Sequence, residues 1–194
     1  MEIKTIAIVG ATSLGRTIAL VTARAGYRTI LEDVSLSALE QGTAWIAQAL
    51  GEAVAARQMD SAVRDAVLVN LIAATTPEDA SREADLIIEA VADEMEMKIE
   101  LFTIFDKFAK PGAIFASTST SLSITDMANV TFCPERCIGM RFITDAKNAS
   151  RLELVKANET SEETIAACRE VTGRMGLKVS VLRDEHASSA SATS

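Results

Sequence analysis

The sequence predicts an α/β fold built on a doubly wound, mostly parallel sheet with helices on both faces. Short apolar runs alternate with segments that repeat apolar residues at helical spacing, almost from the first residue to about residue 183. The apolar runs are rich in Ile, Val, Leu and Ala, which suits strands buried on both faces. A glycine-rich turn joins the first strand directly to the first helix.

Composition limits the class of protein. The chain has 194 residues, of which 48% are hydrophobic and 24% charged, as in a globular domain. We predict one domain over residues 1–183 and a flexible polar tail over residues 184–194. The net charge of -8 disfavours nucleic acid or an anionic membrane as the main partner. No apolar run reaches the roughly 18 residues of a membrane span and no signal-peptide pattern precedes the first strand, so the predicted location is cytoplasmic.

The first half of the chain predicts four strands and an inserted helical hairpin after the second strand. Ser35 caps the long helix of this hairpin, and its shorter partner begins near Asp60 or Ser61. In chain order, the predicted elements are strand 6–9, helix 13–25, strand 27–33, helix 35–58, the short helix, strand 70–75 and strand 84–91.

The second half predicts four further strands and two helices. The clearest helix of the chain covers residues 93–109, because its apolar residues form one broad face, and the pair Pro111-Gly112 ends it. The elements that follow are strand 113–117, strand 137–143, strand 152–157, helix 161–176 and strand 177–182.

The stretch IAIVGATSLGRTIAL, residues 6–20, has the strand, turn and helix of a dinucleotide-binding motif. Gly10 and Gly15 are the first and third glycines of the pattern G-x-G-x-x-G, and Thr12 occupies the middle place. Asp33 follows Gly15 by 18 positions, at the end of the second strand, where a carboxylate accepts hydrogen bonds from ribose hydroxyls. The predicted fold is therefore Rossmann-like and the predicted cofactor is NAD, because Asp33 repels the 2′-phosphate of NADP. The alternative is that Asp33 is only a solvated strand end.

Thr12 leaves open whether the motif is a working site or a remnant. The middle glycine normally lets the backbone approach the pyrophosphate, and a β-branched side chain fills that space. A hydrogen bond from the Thr12 hydroxyl to phosphate would offset part of the loss. We estimate that the substitution weakens binding by about 1–3 kcal/mol.

The three cysteines, Cys133, Cys137 and Cys168, are predicted to be small buried thiols. The C-x-x-x-C spacing of the first two invites a metal or redox interpretation. However, the single histidine, His186, lies in the polar tail, so no metal site is predicted.

Two longer motifs resemble a known family. The stretches IEAVADEMEMKIELF, residues 88–102, and IFASTSTSLSITDMA, residues 114–128, are similar to motifs of the 3-hydroxyacyl-CoA dehydrogenases, which include lambda-crystallin-like members. Matches to two further family motifs lie at residues 139–145 and 152–155. The resemblance is to the amino-terminal NAD-binding domain, runs from about residue 3 to residue 183, and implies an oxidoreductase of fatty-acid metabolism.

The resemblance also implies positions for the cofactor site. Asp93 and Lys98 match an acid and a lysine near the nicotinamide ribose, and Thr118 and Thr144 match asparagines. Together with the glycine turn and Asp33, the predicted cofactor-binding residues are Gly10, Thr12, Leu14, Gly15, Asp33, Asp93, Lys98, Thr118 and Thr144.

The catalytic positions that the resemblance implies are Thr120, Arg141 and Glu153. The family's catalytic histidine falls on Arg141, and the glutamate that orients it falls on Glu153. A histidine takes and returns a proton near neutral pH, whereas an arginine stays charged and is no base. Arg141 either holds an oxyanion, phosphate or carboxylate, or forms a structural ion pair with Glu153. We favour the ion pair, because an acid placed to bind an imidazole also suits a guanidinium.

The sequence leaves three alternative functions. The family transfers hydride between NAD and a 3-hydroxyacyl-CoA, and its second, helical domain is expected to be absent from this chain. The first function is an active dehydrogenase, the second a non-catalytic NAD-binding module, and the third a structural or interaction module. We predict an NAD-binding member of the family that is impaired or inactive alone, with a partner chain or self-association replacing the helical domain.

Overall fold

A computed structural model describes residues 2–145 and 148–186, except for the side chains of residues 144, 145 and 148–150. The strands are β1 Thr5–Val9, β2 Arg28–Glu32, β3 Leu71–Ala74, β4 Leu86–Glu89, β5 Ile114–Ser117, β6 Cys137–Asp145, β7 Asn148–Lys156 and β8 Lys178–Arg183. They form one sheet in the order β3-β2-β1-β4-β5-β6-β7-β8. Neighbouring strands are parallel, except that β6 and β7 pair antiparallel. The predicted doubly wound, Rossmann-like sheet is confirmed.

The helices of the described residues are α1 Ser13–Arg24, α2 Leu36–Ala55, α3 Ser61–Val69, α4 Pro77–Glu83, α5 Met95–Phe108, α6 Ile124–Ala128 and α7 Glu162–Arg174. A 3-10 turn covers Pro134–Arg136. Five of these helices begin at a serine or threonine whose hydroxyl accepts an amide of the first turn, which explains why they start where they do. These capping residues are Thr12, Ser35, Thr76, Ser123 and Ser161.

The helices divide between the two faces of the sheet, as predicted. One apolar cluster joins α1, α2, α3 and α7 to residues such as Ile8, Leu31 and Ile88. The opposite cluster joins α4, α5 and α6 to residues such as Val9 and Ile30. Because successive side chains of a strand point to opposite faces, β1, β2, β4 and β5 each contribute to both clusters. The carboxyl ends of these neighbouring parallel strands lie along the same edge of the sheet.

The predicted helical hairpin is confirmed as α2 and α3, between β2 and β3. Two short helices, α4 and α6, were missed because seven and five residues are too few for a helical period to show. Thr76 as the capping residue with Pro77 at the first helical position was the available signal for α4. The strands β6 and β7 are longer than predicted, because they pair with each other as a hairpin over nine residues each.

All three cysteines are buried free thiols, as predicted. Beyond β8, the carboxylate of Asp184 accepts the amide of Thr125 at 2.8 Å, so the packed domain extends one residue past its predicted end. The rest of the predicted tail, residues 187–194, lies outside the described residues. Within the described part of the chain, no helix combines the length and apolar character that crossing a bilayer requires.

Candidate functional site

The predicted site residues collect along the carboxyl edge of the sheet. The glycine turn follows β1, Asp33 follows β2, Asp93 follows β4, and Thr118 follows β5. In the strand order of the sheet these strands are neighbours, so residues far apart in sequence lie side by side. In open α/β sheets this edge is where ligands bind, at the point where the strand order reverses.

The turn after β1 accepts only glycine at the first and third glycine positions of the motif, which are Gly10 and Gly15. Gly10 has a φ of +106°, and a Cβ there would lie 3.0 Å from the carbonyl oxygen of Ala90. A Cβ on Gly15 would lie 1.8 Å from the carbonyl oxygen of Gly10. The turn is therefore packed directly against the helix that it opens. The first intrahelical bond runs from Arg16 to the Thr12 carbonyl at 3.0 Å, and the Gly15 amide donates to the Thr12 hydroxyl, which leaves the amides of Ser13 and Leu14 without an intrahelical acceptor.

Thr12 uses its hydroxyl within the protein. The hydroxyl accepts the amide of Gly15 at 3.1 Å and donates to the carbonyl of Ala90 at 2.8 Å. A hydroxyl has a single proton to donate, so it cannot also donate to a phosphate while this bond is kept. The interpretation of the Thr12 hydroxyl as a phosphate donor is therefore wrong for this structure. The residue instead caps α1 and ties the turn to the end of β4.

Asp33 is held in place by backbone amides. One carboxylate oxygen accepts the amide of Ala11 at 2.8 Å, and the other accepts that of Ser35 at 2.9 Å. These bonds orient the carboxylate between the glycine turn and the start of α2. Asp33 is therefore more than a solvated strand end, and its contact with a ribose stays a prediction.

A cavity of about 330 Å³ opens beside Asp33. Its walls are mainly apolar and come from the ends of β1 and β2, the loop after β4, and the helices α4 and α5. The lining residues that the argument below uses are Val9, Glu32, Pro77, Val91, Glu100 and Leu101. Cavities with mainly apolar walls and a few polar groups are where small molecules bind in proteins.

Lys98 lies in a buried network rather than in an open cleft. Its ammonium nitrogen lies 2.7 Å from both carboxylate oxygens of Glu89, and the two side chains are 1% and 0% exposed. The hydroxyl of Ser117 donates to the same carboxylate at 2.6 Å, and the amide of Val91 does so at 2.7 Å. This network holds the ends of β4 and β5 to α5. The predicted contact of Lys98 with a cofactor stays a prediction.

Asp93 extends the network toward solvent. It lies 3.5 Å from Lys98 and accepts the Ser121 hydroxyl at 2.6 Å. Burial raises the pKa of Asp93, but hydrogen bonds from Ser119 and Ser121 and the charge of Lys98 outweigh it, so the pKa lies below its usual value. Asp93 is thus a fixed anion at the mouth of the site.

Arg141 and Glu153 stand directly opposite each other on β6 and β7. Among the described residues, however, no ion pair joins them. The predicted pair is wrong because the Arg141 side chain reaches past its cross-strand neighbour to the loop after β5. There its Nε donates to the carbonyl of Ser119 at 2.9 Å, while its Nη2 is buried and has no hydrogen-bond partner among the described residues. Within that part of the chain, the guanidinium keeps an unused donor.

The remaining predicted residues differ in their surroundings. Thr118 is buried at the end of β5, and Thr120 is exposed in the loop that follows. The Leu14 side chain packs partly against the core, which leaves only its backbone amide for a ligand. The side chain of Thr144 lies outside the described part of the structure.

Residues 5–185 match the family model described as 3-hydroxyacyl-CoA dehydrogenase, NAD binding domain. The chain belongs to the 3-hydroxyacyl-CoA dehydrogenase family. NAD is the cofactor of this domain family, in agreement with the sequence prediction.

Relatives and solved structures of the family agree with this assignment. A 3-hydroxybutyryl-CoA dehydrogenase of Bradyrhizobium diazoefficiens is 33% identical over 182 residues, which are 94% of this chain and 62% of the relative. The mitochondrial hydroxyacyl-coenzyme A dehydrogenase of Sus scrofa is 29% identical over 179 residues, or 90% of this chain and 57% of the relative. The crystal structure of 3-hydroxybutyryl-CoA dehydrogenase from Escherichia coli K12 superposes with a TM-score of 0.91 at 27% identity, over 95% of this chain and 39% of that one. The chain thus spans about three fifths of the first of these relatives.

The residues of this chain fit the family's dinucleotide, because the turn has no room for a Cβ at Gly10 or Gly15 and Asp33 is oriented at the end of β2.

Sequence reasoning missed Glu89, although an acid inside the apolar run of β4, nine residues before Lys98, was a usable signal. It also missed the buried carboxyl of Glu32, for which the only signal was a second acid beside Asp33.

Proposed function

We propose that this chain binds NAD as the dinucleotide-binding part of a 3-hydroxyacyl-CoA dehydrogenase and that its hydride-transfer activity is impaired. The observation that carries the proposal is Arg141. It occupies the position of the family's catalytic histidine, opposite Glu153, and donates to the carbonyl of Ser119. The dehydrogenase names of the relatives support an acyl-CoA as the substrate class.

Three features support binding of NAD. The glycine turn and the amino end of α1 offer backbone amides to the pyrophosphate. The oriented carboxylate of Asp33 suits the adenosine ribose and repels a 2′-phosphate, which favours NAD over NADP. The adjacent apolar cavity accommodates the base.

The chemistry of the family requires a base in addition to the cofactor. NAD, when bound, would supply the hydride acceptor for this chemistry, and a group of the protein would have to take the proton of the 3-hydroxyl. Arg141 stays protonated at any usable pH and therefore does not serve as that base. Its buried, unpartnered Nη2 instead offers a donor to an anion or to a carbonyl oxygen. Substrate oxygen is thus held without being deprotonated.

Two measurements test the proposal. Titration of the purified chain with NADH, followed by calorimetry and by nicotinamide fluorescence, is expected to give saturable binding that is weaker for NADPH. Reduction of acetoacetyl-CoA by NADH is expected to be slower by at least about 100-fold than typical enzyme turnover, since general-base catalysis contributes about that much. Turnover at ordinary enzymatic rates would contradict the role given to Arg141.

One observation favours a second candidate, a module without cofactor. Thr12 occupies the place of the middle glycine and its side chain is fixed by two hydrogen bonds, so it cannot turn away freely. A structural or interaction module predicts no heat and no fluorescence change at millimolar NADH. In that case the function to test is binding to a second copy of the chain or to a partner chain. Sedimentation of the purified chain measures self-association.

A further inference from the structure

Glu32 is a buried acid in an otherwise apolar place. It is the last residue of β2, it is 2% exposed, and it directly precedes Asp33. Its strand neighbours in the sheet are Val9 on β1 and Ala74 on β3, and neither side chain carries a charge or a hydrogen-bonding group. A carboxyl in such surroundings needs a partner or must lose its charge.

The alternation of β2 shows which way Glu32 faces. Leu31 packs in the cluster of α1 and α2, whereas Ile30 packs in the cluster of α4 and α5. Residues two apart on a strand share a face, so Glu32 lies on the side of Ile30. That is the side on which Pro77 of α4 and Leu101 of α5 line the cavity beside Asp33, and Glu32 lines it with them.

One oxygen of this carboxyl is without a partner in the part of the chain that the structure describes. Glu32 Oε1 is buried there and accepts no hydrogen bond. Most buried polar atoms of native proteins are paired, so an orphaned oxygen at the wall of a cavity indicates a partner that enters the cavity. The partner must offer a hydrogen-bonding edge that fits between apolar walls, as a nucleobase does.

The surroundings of Glu32 also favour its neutral form. Burial raises the pKa of Glu32, and the neighbouring charges of Asp33 and Glu78 raise it further, to about 7. The charged groups that face it are acids on three elements, namely Asp33 after β2, Glu78 on α4 and Glu100 on α5. Near and below neutral pH the carboxyl therefore carries one donor and one acceptor, and above that pH it carries acceptors only.

We propose that Glu32 reads the purine base of the dinucleotide, with its neutral carboxyl bound to the amino group and a ring nitrogen of adenine. This inference rests on the proposed binding of NAD. A neutral carboxyl donates to a ring nitrogen of adenine and accepts from the exocyclic amino group. An ionised carboxylate offers only acceptors, so it loses the bond to that nitrogen and repels its lone pair. The affinity for the base therefore depends on the protonation of one side chain.

The test measures NADH affinity at two pH values. NADH is titrated by fluorescence into the full chain at about pH 6 and about pH 8.5. For the wild-type chain we expect NADH affinity to fall by about tenfold between these pH values, as one proton is needed for the favoured contact.

Two variants complete the design. Glu32→Gln keeps one donor and one acceptor at every pH, so it is expected to retain NADH binding and to lose the pH dependence. Glu40→Gln, on the exposed side of α2, is the matched control and is expected to behave as the wild type. Cys133, whose pKa lies near 7, and His186 are unchanged in both variants, so a pH effect that they cause would persist in Glu32→Gln.

The possible failures are distinguishable. NADH binding whose pH dependence is the same in the wild type and in Glu32→Gln would overturn the role of Glu32 and leave NAD binding intact. Absence of NADH binding, in every variant and at both pH values, would overturn both proposals. Because the wild-type comparison needs no variant, the proposal remains testable even if Glu32→Gln folds poorly.

Discussion

The hydroxyl of Thr12 and the carbonyl of Ala90 form a 2.8 Å hydrogen bond across the edge of the sheet. The bond joins the turn after β1 to the end of β4, two segments that are 78 positions apart in the chain. The same hydroxyl caps α1 through the amide of Gly15. Thr12 therefore stabilises the cofactor turn while its side chain occupies the place through which a glycine admits the pyrophosphate.

Replacing Thr12 separates these two effects. Thr12→Gly is expected to lower the free energy of unfolding by about 1–2 kcal/mol, because the cap and the bond to Ala90 are lost. It is expected to tighten NADH binding by about tenfold, or about 1.4 kcal/mol, because the backbone approaches the pyrophosphate. Urea denaturation and NADH titration measure the two changes. Thr12→Ser is the control, and its free energy of unfolding should stay within about 0.5 kcal/mol of the wild type. If Thr12→Gly binds NADH no more tightly than the wild type, the Thr12 side chain does not hinder the pyrophosphate.

The buried pair of Glu89 and Lys98 allows a double-mutant cycle. Lys98→Met leaves the Glu89 carboxylate buried without its countercharge, and we expect it to lower the free energy of unfolding by about 3–5 kcal/mol. Glu89→Gln combined with Lys98→Met removes the stranded charge and is expected to recover a large part of that loss. Chemical denaturation of the wild type, both single variants and the double variant gives the coupling energy. A coupling near zero would show that the pair does not act as a unit.

Two glycine-to-alanine variants contrast a filled space with an open one. A Cβ on Gly15 would lie 1.8 Å from the carbonyl oxygen of Gly10, whereas a Cβ on Gly51 meets no atom within 4 Å. Gly15→Ala is expected to displace α1 from the turn, to lower the melting temperature and to abolish NADH binding. Gly51→Ala, inside α2, is expected to stabilise the chain by about 0.5–1 kcal/mol through helix propensity. Thermal melts followed by circular dichroism rank the two variants, and an equal effect of both would refute the close approach.

Restoring the family's histidine tests the role of Arg141. Arg141→His places a titratable imidazole opposite Glu153, and we expect acetoacetyl-CoA reduction to rise by at least about tenfold over the wild type. The gain should depend on pH with a midpoint near the histidine pKa of about 6.5. Arg141→Gln removes the charge without supplying a base and should bring no gain. An equal rise in both variants would assign the effect to loss of the guanidinium rather than to a new base.

Glu32 predicts a specific dependence of stability on pH. Its pKa is raised from 4.5 to about 7 in the folded chain, so the folded state holds a proton that the unfolded state releases. The resulting contribution is fully present below pH 4.5 and is lost as the pH rises toward about 7. Relative to Glu32→Gln, the wild type is expected to lose about 2–3 kcal/mol of unfolding free energy between about pH 5 and about pH 8. Urea denaturation of both proteins at the two pH values measures this difference, and parallel pH curves would show that Glu32 is not protonated in the folded state.

The sequence by itself determined the fold class, the order of the strands and of the longer helices along the chain, the glycine turn and the acid that follows β2. These features can be read from the sequence because apolar periodicity and the glycine spacing of the turn are local patterns. The bonding partners of the polar side chains were decided only by the tertiary structure. Arg141 was expected to bind its cross-strand neighbour Glu153 and instead binds the carbonyl of Ser119. Glu32 gained its raised pKa first from burial and then from the charges of Asp33, which follows β2, and of Glu78 on α4. A long side chain bonds to groups that folding brings within its reach, and burial shifts the pKa of an acid. Neither outcome can be inferred from the spacing of residues along the chain.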